Sequence, residues 1–545
     1  MNAVCKVEDN ESESGERMKL YTNGKIASMD RDLTFYEAIG IEDGKICFLG
    51  SRKEAEALQA KELVDLGGKL MLPGFVDTHM HMLMYAFFAR NVDLFGSRSV
   101  DEVISRFQEK LKSDPGRSYL YGMGWNQENF EGGAFPTRAD LDRISTEIPI
   151  FAARICGHIA VYNSKALELL RVSQPGAHVL GNTDFETGLV KEDAALSYSS
   201  LIPPVSEEEL VRMILDAQAE MNRCGLTCAH SHDFAVMPGV EWKTIVSVLR
   251  RLSDEGKLTC RIFEQSYFPD DGEFAQFLSQ GLRTERGGDG FFRIGPRKIV
   301  LDGSLGGSTA MVQKGYVHDR ANKGLASSTE EAFYRSVRQA HDSDCSVAVH
   351  CIGDEAMRWT LSAFQRCQKE NPKPDIRHGI VHAQLTTPEI MEKMKELEVQ
   401  VFAQPIFINA DMEVIYDRID GEDAAHTYNW KTMLDMGIHV SGGTDAPVEP
   451  FHVMNNLYAA ITRKNLEGTK TFLPEQALSV EEAVRLVTSY AAWASFDEAR
   501  SGTLEVGKNA DLVVLSENIF EIEPDQIKDV DILLTVAGGR TVYSV

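Results

Sequence analysis

The 545-residue sequence has no apolar run near the ~18 residues that a membrane helix needs. It has no CxxC pair, no tandem repeat, and no low-complexity segment after residue 17. Each absence removes a class of protein: a helical membrane span, a paired-thiol zinc or redox motif, and a solenoid. The opening residues, MNAVCKVEDNESESGER, lack the apolar stretch of a secretory signal and are acidic, which a transit peptide is not. A cytoplasmic location is the default expectation, and residues 1–17 read as a disordered tail. Positive charge is scarce as well. With 56 Lys and Arg against 82 Asp and Glu, the formal net charge is -26. Such a surface repels nucleic-acid phosphates and anionic lipid, so neither is expected as a partner and a small molecule is. The nine cysteines are odd in number and scattered, which fits reduced, mostly buried thiols.

What is present is a large core and a regular alternation. The length of 545 residues allows about three to five ordinary units, or one large barrel with additions, and 43% hydrophobic residues allow a large core. Residues 18–70 carry short β runs separated by Asn23-Gly24 and Asp43-Gly44, and 491–545 repeat that style. Strands at both ends need partners for their backbone groups, and a small β-sandwich built from both termini supplies them. Between the ends, eight apolar β runs alternate with helical stretches: 71–81, 226–232, 258–265, 295–303, 345–353, 378–384, 399–405 and 438–445. Eight such units predict a closed (β/α)8 TIM-like barrel over 71–490. The first connection is far too long for one helix, so about 90–220 reads as an insertion after barrel strand 1, on the functional face.

Most of the 14 histidines are scattered, but a few fall at strand ends. His79 and His81 form HxH at the end of the first run, where a period of two points both rings the same way. His350 ends SVAVH, His382 ends GIVH, and Asp445 ends the last run. Polar groups at the C-terminal ends of barrel strands read as catalytic, and imidazoles with a carboxylate suit a divalent ion: zinc, and also nickel, manganese or iron. Lys298 sits inside the apolar run PRKIVLDG, where a buried ammonium is costly. It is either snorkelling or salt-bridged, or it carries a carboxyl group on its amine and binds metal as a carbamate.

The set FVDTHMH, KIVLDGSLGGSTA, VAVHCIGDEA, IVHAQ and GGTDAPVEP resembles the amidohydrolase superfamily, and within it the amidohydrolase-3 branch that includes N-substituted formamide deformylases. The resemblance runs from about residue 18 to 545. It implies His79, His81, His350, His382 and Asp445 as metal-site residues and Lys298 as a carboxylated lysine bridging two ions. One or two ions per chain, zinc first, are implied. So is hydrolysis of an amide-type C–N bond, N-formyl or N-acyl, by metal-activated hydroxide with Asp445 as general base and acid. His158 resembles a recurrent family position that donates to the substrate carbonyl, with a structural role as the alternative. Asp302, Gly303 and Ser304 are expected to shape the pocket floor. Trp125 lines the pocket or packs in the core. His230 and His232, a second HxH, are a pocket wall or an alternative ligand pair. Two other readings stay open: a one-metal deaminase of the same superfamily, and a non-catalytic scaffold. The deaminases carry HxxE after the fifth strand, whereas here Cys351, Ile352 and Gly353 follow His350. A homo-oligomer is a further implication of the resemblance.

Overall fold

A computed structural model describes residues 18–545 except 156–158, 174–178, 180, 192, 197 and 286. Eight parallel strands form the central sheet: β1 (Phe75–Met80), β2 (Leu226–Ser231), β3 (Arg261–Tyr267), β4 (Phe292–Val300), β5 (Val347–Cys351), β6 (Gly379–His382), β7 (Gln400–Ala403) and β8 (Val440–Gly442). They are neighbours in chain order from β1 to β8. The strands are covered on both faces; β1, β6 and β7 are buried at every position. The ends of the sheet meet just past β8. There Asp445 N donates to His79 O (2.7 Å) and His81 N donates to Ala446 O (2.7 Å). The barrel is therefore closed at the end where the strands finish.

The crossover helices follow from their sequences. Glu330–Asp342 begins at Thr329, whose side chain accepts from Ala332 N, and buries Phe333, Tyr334, Val337, Ala340 and His341. That spacing makes one apolar stripe. Pro388–Glu396 starts with Thr387 as its cap and proline in its first turn.

Both chain ends contribute to one six-stranded sheet. Its order is Phe35–Tyr36, Lys25–Ala27, Leu70–Pro73, Leu512–Leu515, Ile532–Ala537 and Arg540–Ser544. A four-stranded sheet (Lys45–Gly50, Ala38–Glu42, Lys19–Thr22, Glu62–Asp65) shares its apolar core, in which Tyr21, Ile39 and Ile46 pack with Met71, Leu512 and Val536. Leu70–Pro73 leads directly into β1. A second tie is ionic: half-buried Arg261 at the start of β3 donates from Nε and Nη2 to the two oxygens of buried Asp511 (3.0 and 3.2 Å).

The chain divides into two compact units, the second being 83–214 with 234–248. That unit has its own five-stranded sheet, ordered Leu189–Lys191, Ile159–Tyr162, Ile150–Arg154, Leu120–Trp125 and Val92–Asp93. Trp125 is fully buried in its core with Phe107, Leu141 and Ile150, and its indole N–H donates to Ala152 O (2.9 Å). The indole is thus part of this core. No described helix is long and apolar enough to cross a membrane.

Candidate metal centre

His79, His81 and Asp445 come together where the barrel closes. One ligand atom from each lies within 4.8 Å of the other two. Asp445 Oδ1 is 3.2 Å from His79 Nε2 and 3.1 Å from His81 Nε2. The strand period delivers the first pair: His79 is in β1 and His81 one residue beyond it. Asp445 lies three residues past β8, with φ of 58°, and His382 has φ of 75°. Left-handed backbone costs a non-glycine residue about 1–3 kcal/mol and persists where the surroundings over-determine it, often at functional sites. At Asp445 the surroundings include its N–H bond to His79 O.

The outer nitrogen of each ring has an acceptor. His79 Nδ1 donates to Gln265 Oε1 (2.6 Å), and Gln265 Nε2 donates in turn to Thr78 O (3.0 Å). His81 Nδ1 donates to His232 O (3.2 Å). His382 Nδ1 donates to Gln404 Oε1 (2.7 Å), whose Nε2 donates to Phe402 O (2.8 Å). His350 Nε2 donates to Gly303 O (3.1 Å). A neutral imidazole carries one proton, so these bonds assign it. Nε2 of His79, His81 and His382 and Nδ1 of His350 are left as lone pairs. Two of them, His382 Nε2 and His350 Nδ1, face each other at 2.9 Å. Burial, with Lys298 beside it, lowers the His79 pKa to about 3, and burial likewise holds His382 well down and takes His350 to about 4. The rings do not supply the missing positive charge themselves. Inward lone pairs around an ionised carboxylate fit a cation, and outer hydrogen bonds of this kind orient metal-binding histidines.

Lys298, on β4, is 2% exposed with Nζ 3.2 Å from His79 Nε2. Burial brings its pKa down to about 7, with Asp445 opposing. The structure thus gathers the five strand-end residues and Lys298 at one mouth.

The neighbours divide differently. Asp302 is a clamp: Oδ1 accepts from Ile352 N (3.0 Å), and Oδ2 accepts from Gly353 N (2.9 Å) and Met311 N (3.0 Å). Burial raises its pKa to about 6 against those three donors. Gly303 offers its carbonyl to His350. Ser304 is exposed, and its Oγ accepts from Gly307 N (3.1 Å) within the same loop. His230 is fully buried, its ring 5.0 Å from Phe263 and 6.4 Å from Phe402 across the barrel. His158 lies outside the described residues. Sequence reasoning passed over Gln265 and Gln404, although each is a polar residue closing an apolar β run. It also passed over Asp77, whose Oδ1 accepts from His79 N and Thr444 N (both 3.1 Å) and whose Oδ2 accepts from the Thr444 hydroxyl (2.5 Å).

Residues 62–543 match the sequence profile of the amidohydrolase family. The chain is 29% identical over 537 residues to the Bacillus subtilis protein YtcJ, covering 96% of this chain and 99% of that one. It is 24% identical over 550 residues to an N-substituted formamide deformylase of Arthrobacter pascens, covering 96% and 97%. A crystal structure of a metal-dependent hydrolase from Pyrococcus horikoshii superposes with a TM-score of 0.80 at 28% identity, covering 93% of this chain and 99% of that one.

Proposed function

This chain belongs to the amidohydrolase family, and from that premise we propose that it hydrolyses an amide-type carbon–nitrogen bond in a small molecule, an N-formyl or N-acyl amine. The observation that carries the reading is the convergence of His79, His81 and Asp445 with the outer ring nitrogens already committed as donors. Those three residues would hold one divalent ion, zinc first by donor type. His350 and His382 would hold a second, with Lys298 between the two as a carbamate. Bound there, a divalent ion acidifies water and polarises a carbonyl oxygen. Asp445 takes the proton from the attacking water and hands it to the departing nitrogen, which needs that proton to leave as an amine. Gln265 and Gln404 keep the His79 and His382 rings turned inward. Lys298 as an ammonium would compete with a cation for the His79 lone pair; carboxylated, it becomes an anionic two-oxygen ligand.

The testing experiment measures metal per chain together with turnover on a panel of N-formyl and N-acyl amines. Close to two ions, a mass gain of one CO2 lost in Lys298→Ala, and release of amine are the expected results. A pure, folded chain that binds no divalent ion, and gains no activity on adding one, would sink the reading.

A further inference from the structure

Beside the four rings just described stands a fifth whose nitrogens have no hydrogen-bond partner among the described residues. His232 is the first residue past β2. It is 6% exposed, and neither ring nitrogen has a hydrogen-bond partner among the described residues. Its backbone is fixed on both sides: the N–H donates to Met80 O (2.8 Å), and the carbonyl accepts from His81 Nδ1 (3.2 Å). The ring centre lies 4.6 Å from that of His81, 6.5 Å from His79, and 4.9 Å from half-buried Tyr267 at the end of β3.

A buried polar group without a partner costs about 1–3 kcal/mol, and such groups are rare in folded proteins. His230, two residues earlier, is orphaned as well, but it is walled by Phe263 and Phe402 inside the barrel. His232 instead sits at the mouth among the candidate ligands. It falls outside the group whose ligand atoms converge, which is His79, His81 and Asp445. It adjoins the proposed ion site without closing it.

We propose that His232 is a substrate-binding residue whose ring N–H donates to the oxygen of the carbon–nitrogen group being cleaved. The proposal rests on the hydrolase reading above. When water adds to that group, negative charge gathers on the oxygen. A donor already in place binds that charge more tightly than it binds the neutral carbonyl. Its main chain is pinned to β1, and no described protein group competes for its nitrogens.

The test uses the full chain loaded with zinc, as His232→Phe and His232→Gln, and measures metal content and calorimetric binding of methylphosphonate, a tetrahedral oxyanion. Both variants are expected to keep the parental metal. His232→Phe should bind methylphosphonate roughly 10- to 100-fold more weakly, and His232→Gln should recover part of the loss because its amide N–H can donate. On an amide substrate, His232→Phe should lower kcat roughly 10²–10³-fold with KM little changed. Equal affinity in all three proteins overturns the donor role. So does loss of metal in either variant, which would make His232 a ligand, and so does a Gln variant no better than Phe. A parent that shows the affinity pattern but hydrolyses no amide keeps the donor site and sinks the hydrolase reading. Turnover with flat affinities does the reverse.

Discussion

Each candidate ligand ring is set by the atom behind it. Without Gln265 Oε1, His79 could hold its proton on either nitrogen and turn about its axis. Gln265→Leu keeps the volume and removes that acceptor, so metal affinity should fall roughly 10- to 100-fold while the fold persists. Competition against a chelator measures this, and an unchanged midpoint would show that Gln265 does not orient the ring. At Asp445 the expectation concerns rate. Asp445→Asn keeps the shape but cannot take a proton, so kcat should drop roughly 10²–10⁴-fold; near-normal turnover would remove Asp445 from the proton path. The two residues differ in how legible they were. Asp445 closes an apolar run in the right order after strands that end in His81, His350 and His382, and chain order alone exposes it. Gln265 acquires its role from a ring 186 positions away, and nothing local announces that.

Two elements carry predictions of their own. The first is the seam between β1 and the segment after β8. A methyl group on Gly443 would come within 2.5 Å of His79 N and 2.7 Å of Asp77 Oδ1. Both belong to backbone or to a carboxylate fixed by Thr444, so neither can yield cheaply. Gly443→Ala should cost about 1–3 kcal/mol and loosen the metal residues, seen together as a lower denaturation midpoint and a lower metal content. The second is a histidine relay between the Glu330–Asp342 helix and the start of β6. His378 Nδ1 accepts from Val347 N (3.1 Å), so its proton is on Nε2 and donates to His341 Nδ1 (2.9 Å); His341 Nε2 donates to Asn371 O (2.7 Å). A second proton on His378 would face the Val347 N–H. Burial, with His341 adding, takes its pKa from 6.5 down to about 3. Below about pH 6.5 the unfolded chain binds a proton that the folded chain refuses. The stability this neutral ring contributes is complete above that pH and is lost toward pH 3, by about 1.4 kcal/mol per pH unit. Asp77, pushed up to about 7 by burial, acts with the opposite sign in the same window. The measurement is therefore a comparison: the urea-unfolding free energies of the parent and of His378→Gln should converge between pH 7 and 4. Parallel curves would refute the relay's titration.

At the scale of the whole molecule, barrel and terminal sheets depend on pairings between distant parts of the chain. Leu512–Leu515 lies antiparallel to Leu70–Pro73, and Asp511 is bound by Arg261. Arg261→Met strands a buried carboxylate that also accepts from Gly538 N (2.6 Å). A loss of about 3–5 kcal/mol is expected, with much of it restored in Arg261→Met/Asp511→Leu, as measured by denaturant unfolding. No restoration would mean that the pair matters for something other than its charge.

The sequence by itself determined the barrel and the direction of its chemistry. Strand period, eight apolar runs and the polar residues that end several of them are local properties, and a parallel barrel sends all strand ends to one mouth. Hence His79, His81, His350, His382 and Asp445 stand out as strand-end residues without coordinates, while Lys298, inside its run, joined them only through the family resemblance. Only the tertiary structure decided what stands behind and beside them. It made Gln265 and Gln404 the keepers of two rings, and Asp302 a clamp on three backbone N–H groups. It placed Trp125 in the core of the second unit, left Ser304 exposed, and set His232 beside His81 with no hydrogen-bond partner among the described residues. Hydrogen-bond partners are fixed by the register of neighbouring strands and by loops far apart in the chain. Register is a property of the closed barrel, and no stretch of sequence carries it alone.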